Sequence, residues 1–85
     1  MLKFTLYSKV ECSLCERAKA ALEAFRRECA FELDVVDIES DAGLFEKYKH
    51  DIPVLRINGV EAARHFIGLE KLRVLVRRTQ TSTSS

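Results

Sequence analysis

Along LKFTLY, residues 2 to 7, apolar Leu2, Phe4 and Leu6 alternate with Lys3, Thr5 and Tyr7, the two-residue period of a half-buried strand. From Ser13 the period lengthens. Leu14, Ala18, Ala21, Leu22, Phe25 and Cys29 fall on one helical stripe, with Glu16, Arg17, Lys19, Glu23, Arg26 and Arg27 largely off it. That pattern predicts a helix of about four turns. Phe31, Leu33 and Val35 open a second strand that runs to about Asp37. Ser40 and Asp41 are candidate N-caps for a short helix carrying Leu44, Phe45 and Tyr48. In DIPVLRINGVEAAR two strand-like runs flank Asn58-Gly59, a pair suited to a two-residue hairpin turn because both positions tolerate positive φ. The single proline, Pro53, stands at the start of the first run, where a missing N–H is tolerated. A last helix turns Leu69, Leu72, Leu75 and Val76 inward, with Lys71, Arg73, Arg77 and Arg78 outward and toward its electronegative end. Residues 79–85, TQTSTSS, bring no hydrophobic side chain to bury, and a disordered tail is expected there.

The order is therefore β-α-β-α-β-β-α. The first two strands are joined through a helix, so a right-handed crossover makes them parallel, whereas the hairpin strands run antiparallel. An α/β fold follows, a mixed four-stranded sheet with helices on both faces, forming one domain over residues 1–78.

Composition narrows the class. A chain of 85 residues buries only about 60–65% of its unfolded surface, so the core must be efficient. With 47% hydrophobic and 32% charged residues the chain reads as globular. A net charge of +1 with interspersed signs supplies no concentrated basic face for nucleic acid. Nothing reaches the length of a membrane span. MLKFTLYSK has one early lysine but no apolar run or small-residue cleavage site, so no signal peptide is expected, and a cytoplasmic location with it. Three cysteines, Cys12, Cys15 and Cys29, are an odd and sparse set for a disulfide-stapled secreted domain.

The chemistry gathers in YSKVECSLCERAK, residues 7–19, where strand gives way to helix. A helix N-terminus presents unpaired N–H groups and a partial positive charge, which favour thiolate over thiol. Only the thiolate is a competent nucleophile. Cys12, at the helix threshold, is expected to be the more exposed thiol and to attack a substrate disulfide. Cys15, one turn in and partly buried, is expected to resolve the mixed disulfide. Lys9 adds positive charge nearby and Glu11 opposes it. The plain alternative is two thiols that merely pack.

With those residues in view, the chain resembles the glutaredoxins of the thioredoxin-fold superfamily, in particular the short glutaredoxin-like proteins. The likeness rests on YSKVECSLC, FELDVVDIES and DIPVLRING and spans residues 2 to 77. It implies a thioredoxin-like fold of glutaredoxin type and thiol–disulfide oxidoreductase activity. It also implies that Pro53, in an Ile-Pro where Val-Pro is usual, follows a cis bond and faces the cysteines, with the backbone of Ile52 free to align a substrate chain. Lys9 matches the position that meets a glutathione carboxylate, and Tyr7 either flanks the active site or packs in the sheet. Two departures stand out. Ser13 and Leu14 occupy the place where many glutaredoxins carry proline and tyrosine. The Gly-Gly and acidic pair that usually hold glutathione before the last helix are replaced by AARHFIGLEKL, with only Gly68 and Glu70 to answer for them.

The expected activity therefore needs no bound cofactor, with glutathione a candidate co-substrate. Expected partners are a disulfide-bearing protein or a low-molecular-weight thiol, with glutathione or a reductase as electron donor, and a monomer with no nucleic-acid or membrane partner. Two other functions compete: a redox-inactive binding module presenting the Pro53 edge, and an iron–sulfur or metal carrier. Zinc is disfavoured because one CxxC with His50 and His65 at unrelated spacings falls short of a four-ligand pattern. Cys29 reads as a core thiol.

Overall fold

The computed structural model describes residues 2–83. Strand β1 (Leu2–Ser8) leads to helix α1 (Ser13–Phe25), strand β2 (Phe31–Asp37), a single 3₁₀ turn (Ile38–Ser40), helix α2 (Ala42–Tyr48), strands β3 (Val54–Ile57) and β4 (Val60–Arg64), and helix α3 (Leu69–Thr83). The sheet order is β2-β1-β3-β4. β1 and β2 are parallel, and β3 is antiparallel to both β1 and β4. This is the thioredoxin-like arrangement expected from the order of elements.

The alternation in β1 divides the sheet into two faces. Phe4 and Leu6 point to a main core shared with Ala18, Leu22 and Phe25 of α1, Leu55 and Ile57 of β3, and Leu72 and Val76 of α3. Phe4 stacks on Phe31 with ring centroids 4.5 Å apart, and Phe25 closes the aromatic group. Tyr7 points the other way and stacks on Tyr48 of α2 at 4.8 Å, within a smaller cluster built on Ile38, Tyr48 and Val54. Burying a Leu, Val or Phe side chain contributes about 1.5–3 kcal/mol, so the main core dominates the stability of the domain.

Caps and turns fix the ends. Asp41 caps α2, its Oδ1 accepting from the N–H groups of Gly43 at 2.8 Å and Leu44 at 3.2 Å. Ser40 closes the preceding turn instead, donating to the Asp37 carbonyl at 2.6 Å. At the hairpin Asn58 (φ 52°) and Gly59 (φ 85°) both take the left-handed region. Asn58 is tied to Lys3 in both directions: Lys3 N–H donates to Asn58 Oδ1 at 2.9 Å, and Asn58 N–H donates to the Lys3 carbonyl at 2.8 Å. The hairpin register shifts between Leu55 and Arg56, which keeps Ala63 opposite Leu55 on the core face.

Three expectations are corrected. α1 stops at Phe25: past it the N–H groups of Arg27 and Glu28 donate three residues back, to the Ala24 and Phe25 carbonyls, and the chain tightens into a turn. Cys29 therefore lies beyond the helix, although it still packs against the main core. α3 does not end at residue 78: residues 79–83, expected as a disordered tail, continue it to Thr83. An established helix extends by one hydrogen bond per added residue and needs no buried side chain to do so. Ser84 and Ser85 lie outside the described residues. Consequently Arg73, Arg77 and Arg78 do not crowd a helix end. Arg73 sits mid-helix and forks onto Glu28, its Nε and Nη2 donating at 2.8 and 2.7 Å.

Candidate functional site

Strand pairing gathers the site at one end of the sheet. Ser8 pairs with Asp37, Tyr7 with Val54, and Val54 with Arg64. The turn after β1 (residues 9–12), the segment entering β3 (residues 49–53) and the loop after β4 (residues 65–68) therefore sit together.

The turn delivers two sulfurs. Glu11 takes φ 64°, unusual for a side chain of its size, and sets up Cys12 in extended conformation as the N-cap of α1. The N–H of Cys15 donates to Cys12 Sγ at 3.4 Å, so a sulfur fills the capping role that a hydroxyl or carboxylate usually takes. Cys12 is half-buried, whereas Cys15 is fully buried. Burial pushes the Cys15 thiol up from 9.0 to about 11, and a hydrogen bond to Cys12 adds to this. The backbone N–H of Lys9 and the charge of Lys19 pull the other way. Cys15 is thus a protonated, inward-facing thiol hydrogen-bonded to its outer neighbour.

The remaining candidates fall into place differently. Lys9 acts here through its backbone, whose N–H faces the Cys15 sulfur. Ile52-Pro53 is a cis peptide bond; Pro53 is fully buried at the head of β3, and Ile52 packs on the Ile38–Tyr48–Val54 cluster. Tyr7 belongs to that same cluster through its stack on Tyr48. Cys29 stands apart, near Phe25, Glu28 and Arg73. Among the described residues no group of three or more His, Cys, Asp or Glu side chains could hold a metal ion. Nor is any described helix long and apolar enough to cross a membrane.

Sequence reasoning missed the loop after β4. His65 takes φ 65°, its N–H donates to the Pro53 carbonyl at 2.8 Å, and its Nε2 lies 3.3 Å from the His50 carbonyl oxygen. Arg64 Nη1 reaches Asp51 at 3.0 Å. These bonds strap residues 65–68 to the segment entering β3. Beside the strap lies a cavity of about 230 Å³, lined by Leu14, Arg17, His65, Phe66, Ile67 and Gly68. The only hint in the chain was HFI, two large apolar residues where a glycine pair was expected, and nothing in that triplet revealed a shared wall with Leu14 and Arg17.

Comparison with known proteins agrees with this geometry. Residues 3–77 match the glutaredoxin-like domain family DUF836, and the chain belongs to that family. It is similar to a solved structural-genomics target protein from X. campestris, at 36% identity over 88% of this chain and 96% of the other, with a TM-score of 0.73. Protein Ne2328 from Nitrosomonas europaea matches at 27% identity over 86% and 88% of the two chains, with a TM-score of 0.73. Thioredoxin 1 from Thermosipho africanus, at 14% identity over 98% and 99% of the chains and a TM-score of 0.70, shares the fold.

Proposed function

We propose that the protein is a dithiol–disulfide oxidoreductase in which Cys12 is the nucleophile and Cys15 the resolving thiol. One observation carries this reading: a half-buried sulfur at a helix N-cap accepts both the N–H and the thiol of a fully buried partner one turn on. Cys12 is thereby the sulfur a substrate can reach, and Cys15 is held within hydrogen-bonding reach behind it.

The exchange proceeds in two displacements. The Cys12 thiolate attacks one sulfur of a substrate disulfide; a bond forms between them, the substrate S–S bond breaks, and the departing thiolate takes a proton from water. Once Cys12 is held in a mixed disulfide it has lost its negative charge and most of its power as an acceptor. Two of the causes that retain the Cys15 proton vanish with it, while the Lys9 N–H and the Lys19 charge still favour the anion. Cys15 then gives its proton to solvent and attacks Cys12 Sγ. The second substrate sulfur leaves and is protonated. Two electrons have moved from the cysteine pair to the substrate, leaving a Cys12–Cys15 disulfide and two substrate thiols. Two thiol equivalents, from glutathione or a dithiol reductase, restore the pair, and no bound cofactor takes part. For glutathione the Lys9 ammonium is the candidate carboxylate contact, and the backbone at Ile52 and Pro53 is the candidate partner for an extended substrate.

The test is turnover of bis(2-hydroxyethyl) disulfide, run once with glutathione and glutathione reductase and once with dithiothreitol. Wild-type protein is expected to accelerate the exchange, and Cys12→Ser to fall to the uncatalysed rate. Cys15→Ser is expected to accumulate a mixed disulfide on Cys12, visible as added mass. A Cys12→Ser protein that works at the wild-type rate overturns the reading.

A further inference from the structure

The cavity beside α1 has a composition that the exchange chemistry does not require. Its apolar lining is Leu14, Phe66 and Ile67, and its polar lining residues are Arg17 and His65. No carboxylate lines it. Phe66 is 70% exposed, and Val10, in the turn that carries Cys12, is 66% exposed at the same end of the sheet. Arg17 forms no side-chain hydrogen bond or ion pair among the described residues, whereas Asp51 is engaged with Arg64, Glu70 with Arg73 and Glu16 with Lys19. An apolar hollow with an unengaged cation on its wall complements an apolar side chain with an acidic neighbour.

Size and position limit the occupant further. A volume of about 230 Å³ lies below the roughly 300–1,000 Å³ of sites that enclose a whole drug-sized molecule, and suits one large side chain. Leu14 and Arg17 stand two and five residues beyond Cys12, so the hollow is lined from the first turn and a half of the helix that Cys12 caps. An extended chain advances about 3.3 Å per residue. A polypeptide whose half-cystine meets Cys12 thus reaches the hollow with a residue one or two positions away.

We infer that the protein selects polypeptide disulfides in which a large apolar residue lies within two positions of the half-cystine with an acidic residue beside it. The cavity of Leu14, Phe66 and Ile67 receives the apolar side chain, and Arg17 meets the carboxylate. This rests on the exchange reading above and names its substrate class. It also accounts for the missing Gly-Gly and acidic pair: the loop after β4 presents Phe66, anchored by the buried Ile67, where a glutathione-holding loop presents glycine backbone and carboxylates.

The test compares kcat/KM under dithiothreitol for symmetric disulfides of short peptides carrying Phe and Glu beside Cys, the same peptides with Ser for Phe, and the same with Lys for Glu. Bis(2-hydroxyethyl) disulfide and glutathione disulfide complete the set. Each value is divided by that for bis(2-hydroxyethyl) disulfide, so the fraction of active protein cancels. The wild-type ratio is expected to favour the Phe–Glu peptides over the Ser form by about tenfold, the usual discrimination of an apolar pocket. Phe66→Ser is expected to erase that preference, and Arg17→Glu to move it from the Glu to the Lys peptides. Val60→Ser, which removes an equally exposed valine at the far end of the sheet, is expected to leave the ratios as they are. Equal ratios for the Phe and Ser peptides overturn the inference while leaving the oxidoreductase intact. So does an unchanged ratio in Phe66→Ser, or glutathione disulfide as the best substrate with the same dependence on Phe66. Failure to turn over any of the disulfides overturns the exchange reading itself, and this inference falls with it.

Discussion

The two ends of the sheet bend the chain through the same left-handed region with different residues. At the hairpin end the work falls to Asn58 and Gly59, residue types that accept positive φ most readily. At the opposite end it falls to Glu11 and His65. A left-handed conformation costs an ordinary L-residue about 1–2 kcal/mol, so the second solution is the less stable one locally. The hairpin end only has to turn, and local preference decides its sequence. The cysteine end has to hold a sulfur at a helix threshold and strap two loops together, and there placement overrides preference.

The largest expected effect sharpens this contrast through the buried thiol, which only the cysteine end possesses. Because folding raises Cys15 from 9.0 to about 11, its stabilising contribution is complete below 9.0 and is lost as the pH rises through about 11. The two-unit difference corresponds to roughly 2–3 kcal/mol. Urea midpoints of the reduced protein should fall between pH 9 and 11, and Cys15→Ala should remove most of that decline; an unchanged slope would mean the thiol is not held neutral by the fold.

Next in size is the hairpin. At Gly59 an added Cβ meets nothing within 4 Å, so a substitution there reports backbone strain alone. Gly59→Val should cost about 1–2 kcal/mol in chemical denaturation. A neutral result would break the comparison at its simpler end.

Glu11→Gly should act in the opposite direction. Relief of the left-handed strain outweighs the extra freedom of glycine in the unfolded chain, for a net gain of up to about 1 kcal/mol. A loss of stability in thermal unfolding would show that the Glu11 side chain supports the turn, and the two ends would then be alike.

The smallest effect concerns the tie between the exit of α1 and the middle of α3. Arg73 donates to the Glu28 carboxylate and holds its pKa below the usual carboxylate range. Sign follows from direction: the contribution is present above 4.5 and disappears as the pH falls through the lowered value. Both groups face solvent, so Glu28→Gln should lower Tm only slightly at neutral pH, and high salt should shrink the difference further. A large drop would place this pair among the main supports of the fold.

Much of the architecture was legible in the chain because it is encoded by period and punctuation. Phe4 and Leu6 alternate, Leu22 and Phe25 recur with the helical turn, Asp41 caps, and Asn58-Gly59 turns. The cysteine pair was legible for the same reason, since its position between a strand pattern and a helix pattern is a local fact. The reach of the helices was not. Cys29 continues the stripe of α1 by spacing, yet the chain folds back at Phe25, and residues 79–83 carry no apolar signal although α3 runs through them. The strap and the cavity were hidden for a different reason. His65 meets Pro53 and His50, and Phe66 shares a wall with Leu14, only because the strand order returns β4 to the end where β1 stops. Such meetings are set by topology, and no stretch of neighbouring residues records them.

At the head of α1, architecture and reactivity share a single atom. The sulfur that receives the Cys15 amide is also the one that would be consumed and regenerated in each cycle. Locking it into a covalent bond changes how well the first turn is anchored, so the oxidised and reduced forms should melt at different temperatures. By thermodynamic closure that gap reports the reduction potential of the pair relative to the unfolded chain, and a melting curve becomes an electrochemical measurement.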